Sequence, residues 1–476
     1  YNIQLQNEKA RVYYNGTSWT MKTLMMESHN IAAQLHKRGI SKHSRIMLSI
    51  EDPISFIRFF LAVQNLGAVV IPLHKKFTNN EIVSCFETVK PAIFISDQSH
   101  LKLFKKNKIN QSSVEDFDLS DTYIYQDLPK VVPDPDDVCV ILFTSGSTGL
   151  PKAVQLTSVN FISSARSWHQ EVQFTEHDNY LLCLPVSHVG GLNIIVRALL
   201  YGFNISIAID FNTNNVSQLI HHREISIISL VPTMMSRLMQ SKNSTSLFSS
   251  LRLIIIGGGP ISGKLLKICR DSNLPIMISY GMTETCSGIS GWHLSAVKTE
   301  KDGNFIGFPF NDVKLQVDDS EIVVSGPMVM KGYIGETDCG GIHYTGDIVR
   351  ITDDNKIYIA GRKDNIIISG GENISPEEVK NIIIQIPDVD DCEVTKLPDN
   401  EWGMKIVAFI VLKKYYESRG LIKPGDQGIE IKNYCKGKLA DYKIPKDIFY
   451  VKSIPRTDTG KVLETKLKPI NNYSKH

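Results

Sequence analysis

Along the first 100 residues the apolar positions change period repeatedly. Over 21–38, Leu24, Ile31, Ala32 and Leu35 fall at helical spacing and Gly39 ends the run, which predicts a helix. Residues 45–50 read as a strand, 54–66 as a second helix stopped by Gly67, and 68–73 as another strand. That order predicts a parallel sheet covered by helices. The alternation resumes with a helix at 193–200, a strand at 205–209, a helix at 216–222 and a strand at 225–230. A turn-rich break at 133–137 leads into a very apolar strand at 138–143. Beyond residue 303 the segments shorten, and 313–317, 321–324 and 356–359 alternate between glycines as antiparallel strands do. A polar stretch at 361–365 precedes a last block with helices predicted at 376–385 and 429–439 and a strand at 406–412, so a domain boundary is placed there.

The 476 residues are 42% hydrophobic and 21% charged, enough chain for two or three domains with substantial cores. No apolar run reaches the length of a membrane-spanning helix, so none is expected. With 52 Lys+Arg against 50 Asp+Glu, the net charge of +2 argues against a nucleic-acid partner held by bulk positive field. The eight cysteines show no C-x-x-C pair and no histidine cluster at ligand spacing, which speaks against zinc and for reduced thiols in a cytosol-like compartment. The first residue is Tyr1, with no charged-then-apolar leader after it, which leaves room for a targeting segment upstream. Ser474-Lys475-His476 resembles a peroxisomal tripeptide but lacks its final Leu.

The strongest local chemistry is Thr144-Ser145-Gly146-Ser147-Thr148-Gly149, which follows a buried-type strand and is followed in turn by Lys152. Glycines let backbone N–H groups approach an anion, hydroxyls add donors and the lysine adds charge, a combination suited to phosphate. Taken alone, the same string also fits a flexible turn. It is not a nucleophile elbow, because Ser145 stands where G-x-S-x-G needs its first glycine. A second glycine-rich stretch, from Gly258 to Leu265, nearly spells a Walker A loop. It carries Leu265 where Mg²⁺ needs Ser or Thr, and Pro260 removes a backbone donor. Tyr280-Gly281-Met282-Thr283-Glu284-Thr285 puts an aromatic ring, hydroxyls and a carboxylate in one short loop. Tyr344-Thr345-Gly346-Asp347 ends in an acid suited to a diol, and Pro455 to Lys461 sets a lysine behind a Gly-containing turn. Singly, Asp347 also fits a turn cap and Lys461 a solvated charge.

These segments, in this order, resemble the adenylate-forming superfamily of acyl-CoA synthetases and their relatives, over essentially the whole chain. Thr144 to Lys152 is similar to its phosphate loop, 257–260 with 280–285 to its adenine and Mg²⁺ region, 344–347 to its ribose motif, 361–374 to its hinge, and 455–461 to its catalytic-lysine motif. Within the superfamily, 184–192, 229–234 and 281–287 most resemble the o-succinylbenzoate–CoA ligases of menaquinone and phylloquinone biosynthesis. Together with the periodicity, the resemblance implies an α/β fold. Its large body at 1–361 would hold βαβ layered sheets plus a smaller β-barrel-like part. A hinge at 362–366 and a small mobile α+β domain at 367–476 would follow.

The resemblance also implies a two-step reaction with ATP, Mg²⁺, CoA and a small carboxylic acid. Lys461, Thr283 and His188 are the expected catalytic residues. Lys461 would bridge the attacking carboxylate and the α-phosphate, and Thr283 would donate to that phosphate. Glu284 would hold Mg²⁺. Thr144, Ser145, Gly146, Ser147, Thr148 and Gly149, with Lys152, would wrap the outer phosphates. Asp347 and Arg362 would grip the ribose, and Tyr280 would stack on adenine beside the backbone of Gly258, Gly259 and Gly281. The small domain would then rotate, withdraw Lys461, and present Gly370 and Gly371 to the arm of CoA.

Ser187, His188 and Ser287 are the expected acyl pocket. Arg197 is either a partner for a second substrate carboxylate or a charge on a helix surface. The hinge position, usually Asp in this family, falls on Asn365 when read without gaps from Gly370 and Gly371, or on Asp364 if the register slips by one residue, and Glu464 replaces a common Arg. Two other functions stay open, a ligase for another aromatic or medium-chain acid and a silent AMP- or acyl-binding module. The intact Glu284, Asp347, Arg362 and Lys461 count against the second. Bacterial cytoplasm and plastid stroma both suit the pathway, and a homo-oligomer stays open.

Overall fold

The computed structural model describes residues 9–75, 77–97, 110–119, 131–132, 134–145, 151–208, 211–240, 247–365, 367–369, 372–399, 403–413, 428–436, 438–457, 462–463 and 466–467. The apolar runs become the strands of two large sheets. One has seven strands in the order Gly332–Tyr333, Pro151–Thr157, Val138–Ser145, Val69–Pro72, Arg45–Ser49, Ile93–Ser96, Gln111–Ser113. From Val138–Ser145 onward its pairs are parallel, as the βαβ order implied. Val69–Pro72 and Ile93–Ser96 are buried at every position, as strands covered on both faces must be. The other sheet has nine strands, with Leu253–Ile256, Ile227–Leu230 and Asn179–Leu182 at its centre. It is parallel from Ile276–Met282 to Arg11–Tyr14 and antiparallel at both ends.

Several helices start where a side chain caps them. The Thr20 hydroxyl accepts the Thr23 N–H at 3.0 Å to open Met21–Lys37, and Asp52 accepts the Ser55 N–H at 2.7 Å to open Pro53–Asn65. One start differs from expectation. The helix predicted from residue 193 begins at Val189 and runs to Tyr201, taking in Gly190 and Gly191. A Cβ at Gly191 would stand 2.4 Å from the Pro185 carbonyl oxygen, so the glycine serves close packing of the helix start. The helix expected over 429–439 ends at Cys435.

The chain divides into two compact units, Tyr1–Leu315 with Val323–His343, and Gln316–Ile322 with Tyr344–His476. The β-rich part expected to be barrel-like is, among the described residues, an open four-stranded sheet. Its order is Lys314–Asp318, Glu321–Ser325, Ile342–Ile351, Ile357–Arg362. The second unit holds the three-stranded sheet Val389–Asp399, Gly403–Leu412, Asp447–Tyr450. Along its central strand, Ile406, Ala408 and Ile410 pack with Val379, Ile383, Ile431 and Cys435 from the two helices. Val407 and Phe409 face the other way, onto Ile454. Two buried faces explain why that strand reads as a continuous apolar run.

Candidate active site

The loop around Glu284 is built by backbone that tolerates little change. Ile276–Met282 pairs with Ser287–His293, and the register shifts between Tyr280 and Gly281. A Cβ on Gly281 would lie 2.1 Å from the Ser287 carbonyl oxygen and 2.5 Å from Gly288 Cα, so only glycine fits. Thr283–Thr285 then makes one short 3₁₀ turn. Thr285 is fully buried, and its hydroxyl accepts the Met282 N–H at 3.0 Å and donates to the Ser287 carbonyl at 2.8 Å. Cys286 at φ +54° and Ser287 at φ +133° leave the turn in the left-handed half of backbone space. Such strain in non-glycine residues persists only where the surroundings hold it. Here Asn193 Nδ2 and the Ser164 hydroxyl both donate to the Cys286 carbonyl, at 2.9 and 3.1 Å, and Trp168 Nε1 donates to the Gly288 carbonyl at 3.1 Å.

Glu284 is held at one oxygen. The Tyr333 hydroxyl donates to Oε1 at 2.8 Å, and no other hydrogen bond among the described residues reaches the carboxylate. Burial and the adjoining carboxylate push the Tyr333 phenol up from its ordinary pKa, so it remains a donor. Among the described residues no group of three His, Cys, Asp or Glu is gathered for a metal. A single carboxylate with one oxygen available suits Mg²⁺, which takes its other ligands from phosphate and water.

Thr144, half-buried, pairs with Lys152 across the antiparallel strands that lead into and out of the phosphate-type loop. Ser145 pairs with Pro151 there. Gly146, Ser147, Thr148 and Gly149 lie outside the described residues. The Lys152 ammonium stands 4.9 Å from the Tyr333 ring centroid. After the strand Leu253–Ile256, Gly258 adopts φ +75°, and a Cβ there would meet Val231 at 3.4 Å, while one on Gly259 would meet Pro232 at 4.0 Å. Tyr280 is half-buried.

Of the residues expected to form the acyl pocket, Ser187 is buried and His188 stands at the N-cap position of helix Val189–Tyr201 without a side-chain capping bond. Burial first, and His74 second, hold the His188 pKa down at about 4, so the ring is neutral near pH 7. The two imidazole rings are 5.3 Å apart between centroids. Arg197 is not the helix-surface charge that its sequence position allowed. It is 3% exposed, because the helix that carries it is buried on nearly every side. Its guanidinium lies 4.6 Å from the Trp168 ring centroid and donates from Nη2 to the Ser287 hydroxyl at 3.1 Å. Arg197 Nε is buried with no hydrogen-bond partner among the described residues, as is Asn193 Oδ1 one helical turn before it. Burial lowers the Arg197 pKa to about 10, which leaves it cationic.

In the second unit Asp347 and Arg362 are register partners, joined from Nη1 to Oδ1 at 3.0 Å. The buried Thr345 hydroxyl accepts the Asp347 N–H at 3.0 Å. Gly346 turns at φ +74° and donates its N–H to Glu321, whose other oxygen takes Lys363 Nζ at 2.9 Å. Asn365 is exposed at the end of the 3₁₀ turn Lys363–Asn365. Gly370 and Gly371 lie outside the described residues, as does Lys461. Arg456 bridges to Val462 and is clamped on Asp391 by contacts of 2.8 and 3.0 Å.

Tyr333, Glu321, His74 and Trp168 carried no motif and were not singled out from sequence. Asn193 left a legible trace, as a polar residue four before Arg197 in an otherwise apolar helix.

The AMP-binding enzyme family model matches residues 2–334, and the AMP-binding enzyme C-terminal domain model matches 378–461. A 2-succinylbenzoate–CoA ligase of Listeria innocua is 31% identical, across 98% of this chain and 97% of its own. One of Bacillus subtilis is 29% identical across 98% and 96%. Among solved structures, the o-succinylbenzoate CoA synthetase of Bacillus subtilis in complex with the acyl-adenylate intermediate OSB-AMP has a TM-score of 0.86 at 28% identity, covering 98% of this chain and 96% of that one. The same enzyme with ATP and magnesium ion has a TM-score of 0.85 at 28% identity, covering 98% and 97%.

Proposed function

The chain belongs to the AMP-binding enzyme family, and from that premise we propose that its acid substrate is 2-succinylbenzoate, converted with ATP and CoA to 2-succinylbenzoyl-CoA, AMP and diphosphate. It is an acid–thiol ligase that works through an acyl-adenylate. In the first half-reaction a substrate carboxylate oxygen bonds to the α-phosphorus while the bond to the bridging oxygen breaks, releasing pyrophosphate. Lys461 and Thr283 stabilise the charge that builds on the α-phosphate. Thr144 to Gly149, with Lys152, hold the outer phosphates. Asp347 and Arg362 hold the ribose, and Tyr280 with the backbone of Gly258, Gly259 and Gly281 holds adenine. Glu284 would hold Mg²⁺, which would supply neutralising charge at the phosphates.

In the second half-reaction the CoA sulfur bonds to the acyl carbon, its proton is released, and AMP leaves. One lysine is needed for the first step and out of place in the second. The domain 367–476 therefore turns about a hinge at 362–366, with Asn365 as its pivot, and brings Gly370 and Gly371 to the thiol's path. The curated relatives named above are bacterial. The eight cysteines are all free, which suits a bacterial cytoplasm.

The observation that carries the choice of acid is Arg197. A buried cation beside Ser287, with an Nε that has no partner among the described residues, is suited to a second carboxylate, and 2-succinylbenzoate has two. Ser187 and His188 complete the acyl side, the neutral imidazole donating one N–H to a substrate oxygen. The test is the rate of thioester formation across acids. The reading expects 2-succinylbenzoate to be fastest, and a faster rate with benzoate, coumarate or octanoate overturns it. Lys461→Ala is expected to cut pyrophosphate release by roughly 10²–10³-fold. Thioester formation from supplied acyl-adenylate should be largely intact, and equal loss of both half-reactions would show that Lys461 is not confined to the first.

A further inference from the structure

Tyr333 lies in the short edge strand Gly332–Tyr333, which pairs antiparallel with the strand that leaves the phosphate-type loop, Tyr333 opposite Val154. Two other stretches of chain meet on this residue, and its own stretch adds a further bond to one of them. Its hydroxyl donates to Glu284 Oε1 at 2.8 Å, the Lys152 ammonium stands 4.9 Å from its ring centroid, and three residues earlier Met330 N–H donates to the Glu284 carbonyl at 2.8 Å. The edge strand is itself locked in place. Lys331 N–H donates to the Gln155 carbonyl at 3.0 Å and Ile334 N–H to the Ala153 carbonyl at 3.0 Å, so the backbone that carries the phenol is fixed beside the carboxylate.

We propose that Tyr333 is the positioning residue of the metal-binding carboxylate, its hydroxyl fixing Glu284 through Oε1 so that Oε2 is presented to the cation. This rests on the reading of Glu284 as the Mg²⁺ ligand. A free glutamate loses rotamer freedom when it takes an ion, whereas one already oriented by a hydrogen bond has lost it beforehand. A neutral phenol donating to a carboxylate is also among the stronger hydrogen bonds, so it can set the rotamer. The ring face does a second job. It holds the Lys152 charge beside the carboxylate's own neighbourhood without an ion pair that would compete with the metal.

The test is Tyr333→Phe in the full chain, with Mn²⁺ as the probe, titrated by electron paramagnetic resonance in the presence of a non-hydrolysable ATP analogue. The expected result is Mn²⁺ affinity weakened about tenfold, with unchanged affinity for the analogue in EDTA. Raised Mg²⁺ should restore pyrophosphate release. Adding Tyr333→Phe to Glu284→Gln should then cost no further affinity, since the phenol acts through that carboxylate. Mn²⁺ binding as tight as in the parent protein, or a further tenfold loss on the Glu284→Gln background, overturns the proposal. If Glu284→Gln alone leaves Mn²⁺ affinity unchanged, the underlying reading of Glu284 fails and the proposal fails with it, an outcome distinct from the other two.

Discussion

Arg197 and Arg362 both sit beside residues expected to meet substrate, and their surroundings are opposite. Arg362 has a side chain 46% exposed and ends a strand opposite Asp347, with which it pairs at 3.0 Å. Arg197 is 3% exposed, lies over Trp168 and donates to a hydroxyl, and no carboxylate pairs with it among the described residues. An ion pair open to water is worth about 0–1 kcal/mol, so the Asp347–Arg362 contact chiefly orients two groups that are already matched. A buried guanidinium without a counter-charge costs several kcal/mol, and the fold sustains it through ring and hydroxyl contacts alone. The contrast teaches how to tell two kinds of substrate contact apart. A charge whose partner is already present grips a neutral group such as a sugar, and a buried charge without one is suited to an anion.

Replacing each arginine should separate these roles, and the largest effect is expected at Arg197. Arg197→Met should lower kcat/KM for 2-succinylbenzoate about a hundredfold, the range for removing one partner of a buried charge pair. It should leave benzoate nearly unaffected, and the thermal midpoint should stay level or rise, because a buried charge is exchanged for a hydrophobic side chain of similar shape. Equal losses for both acids would break the contrast. Arg362→Gln should raise KM for ATP about fivefold whichever acid is used, as befits an exposed pair. An effect that tracked the acid instead would place Arg362 on the wrong substrate.

A smaller effect belongs to the acyl side alone. His188 is held at about 4 in the folded protein against an ordinary value of 6.5. Between those values the unfolded chain binds more protons than the folded one, so stability falls as pH drops from 6.5 toward 4 and is unaffected above. His29 and His169 are lowered in the same direction by burial. His188→Gln should therefore make the acid slope of urea midpoints shallower without abolishing it. A slope unchanged by the substitution would show that the His188 ring is not kept neutral by its surroundings.

Much of the fold was legible because burial on two faces writes itself as runs of Val, Ile and Leu. The strands at 45–50, 68–73 and 138–143 and the helices at 21–38 and 54–66 all appear within about two residues of expectation. The helix start at Val189 was misread because Gly191 packs against the Pro185 carbonyl, a close approach that the local pattern cannot show. At the candidate site, Glu284, Thr283, Asp347 and the glycines stood out because tight turns and anion contacts demand particular residues at particular spacings. Tyr333 did not. A tyrosine in a two-residue strand carries no signal until its partner, 49 positions away, is brought to it.

By itself, then, the sequence determined the parallel sheets, the family and the order of the segments expected to bind phosphate and ribose and to carry the lysine. Each of these depends on neighbours along the chain, where spacing is information. Only the tertiary structure decided that Arg197 is buried, that Glu284 is held at one oxygen, that Gly281 admits no Cβ and that His188 faces His74. Those facts depend on which surfaces meet, and the dielectric and the counter-charge around a side chain come from residues far away in sequence. An arginine in an apolar helix looks the same in sequence whether it points to water or into a pocket.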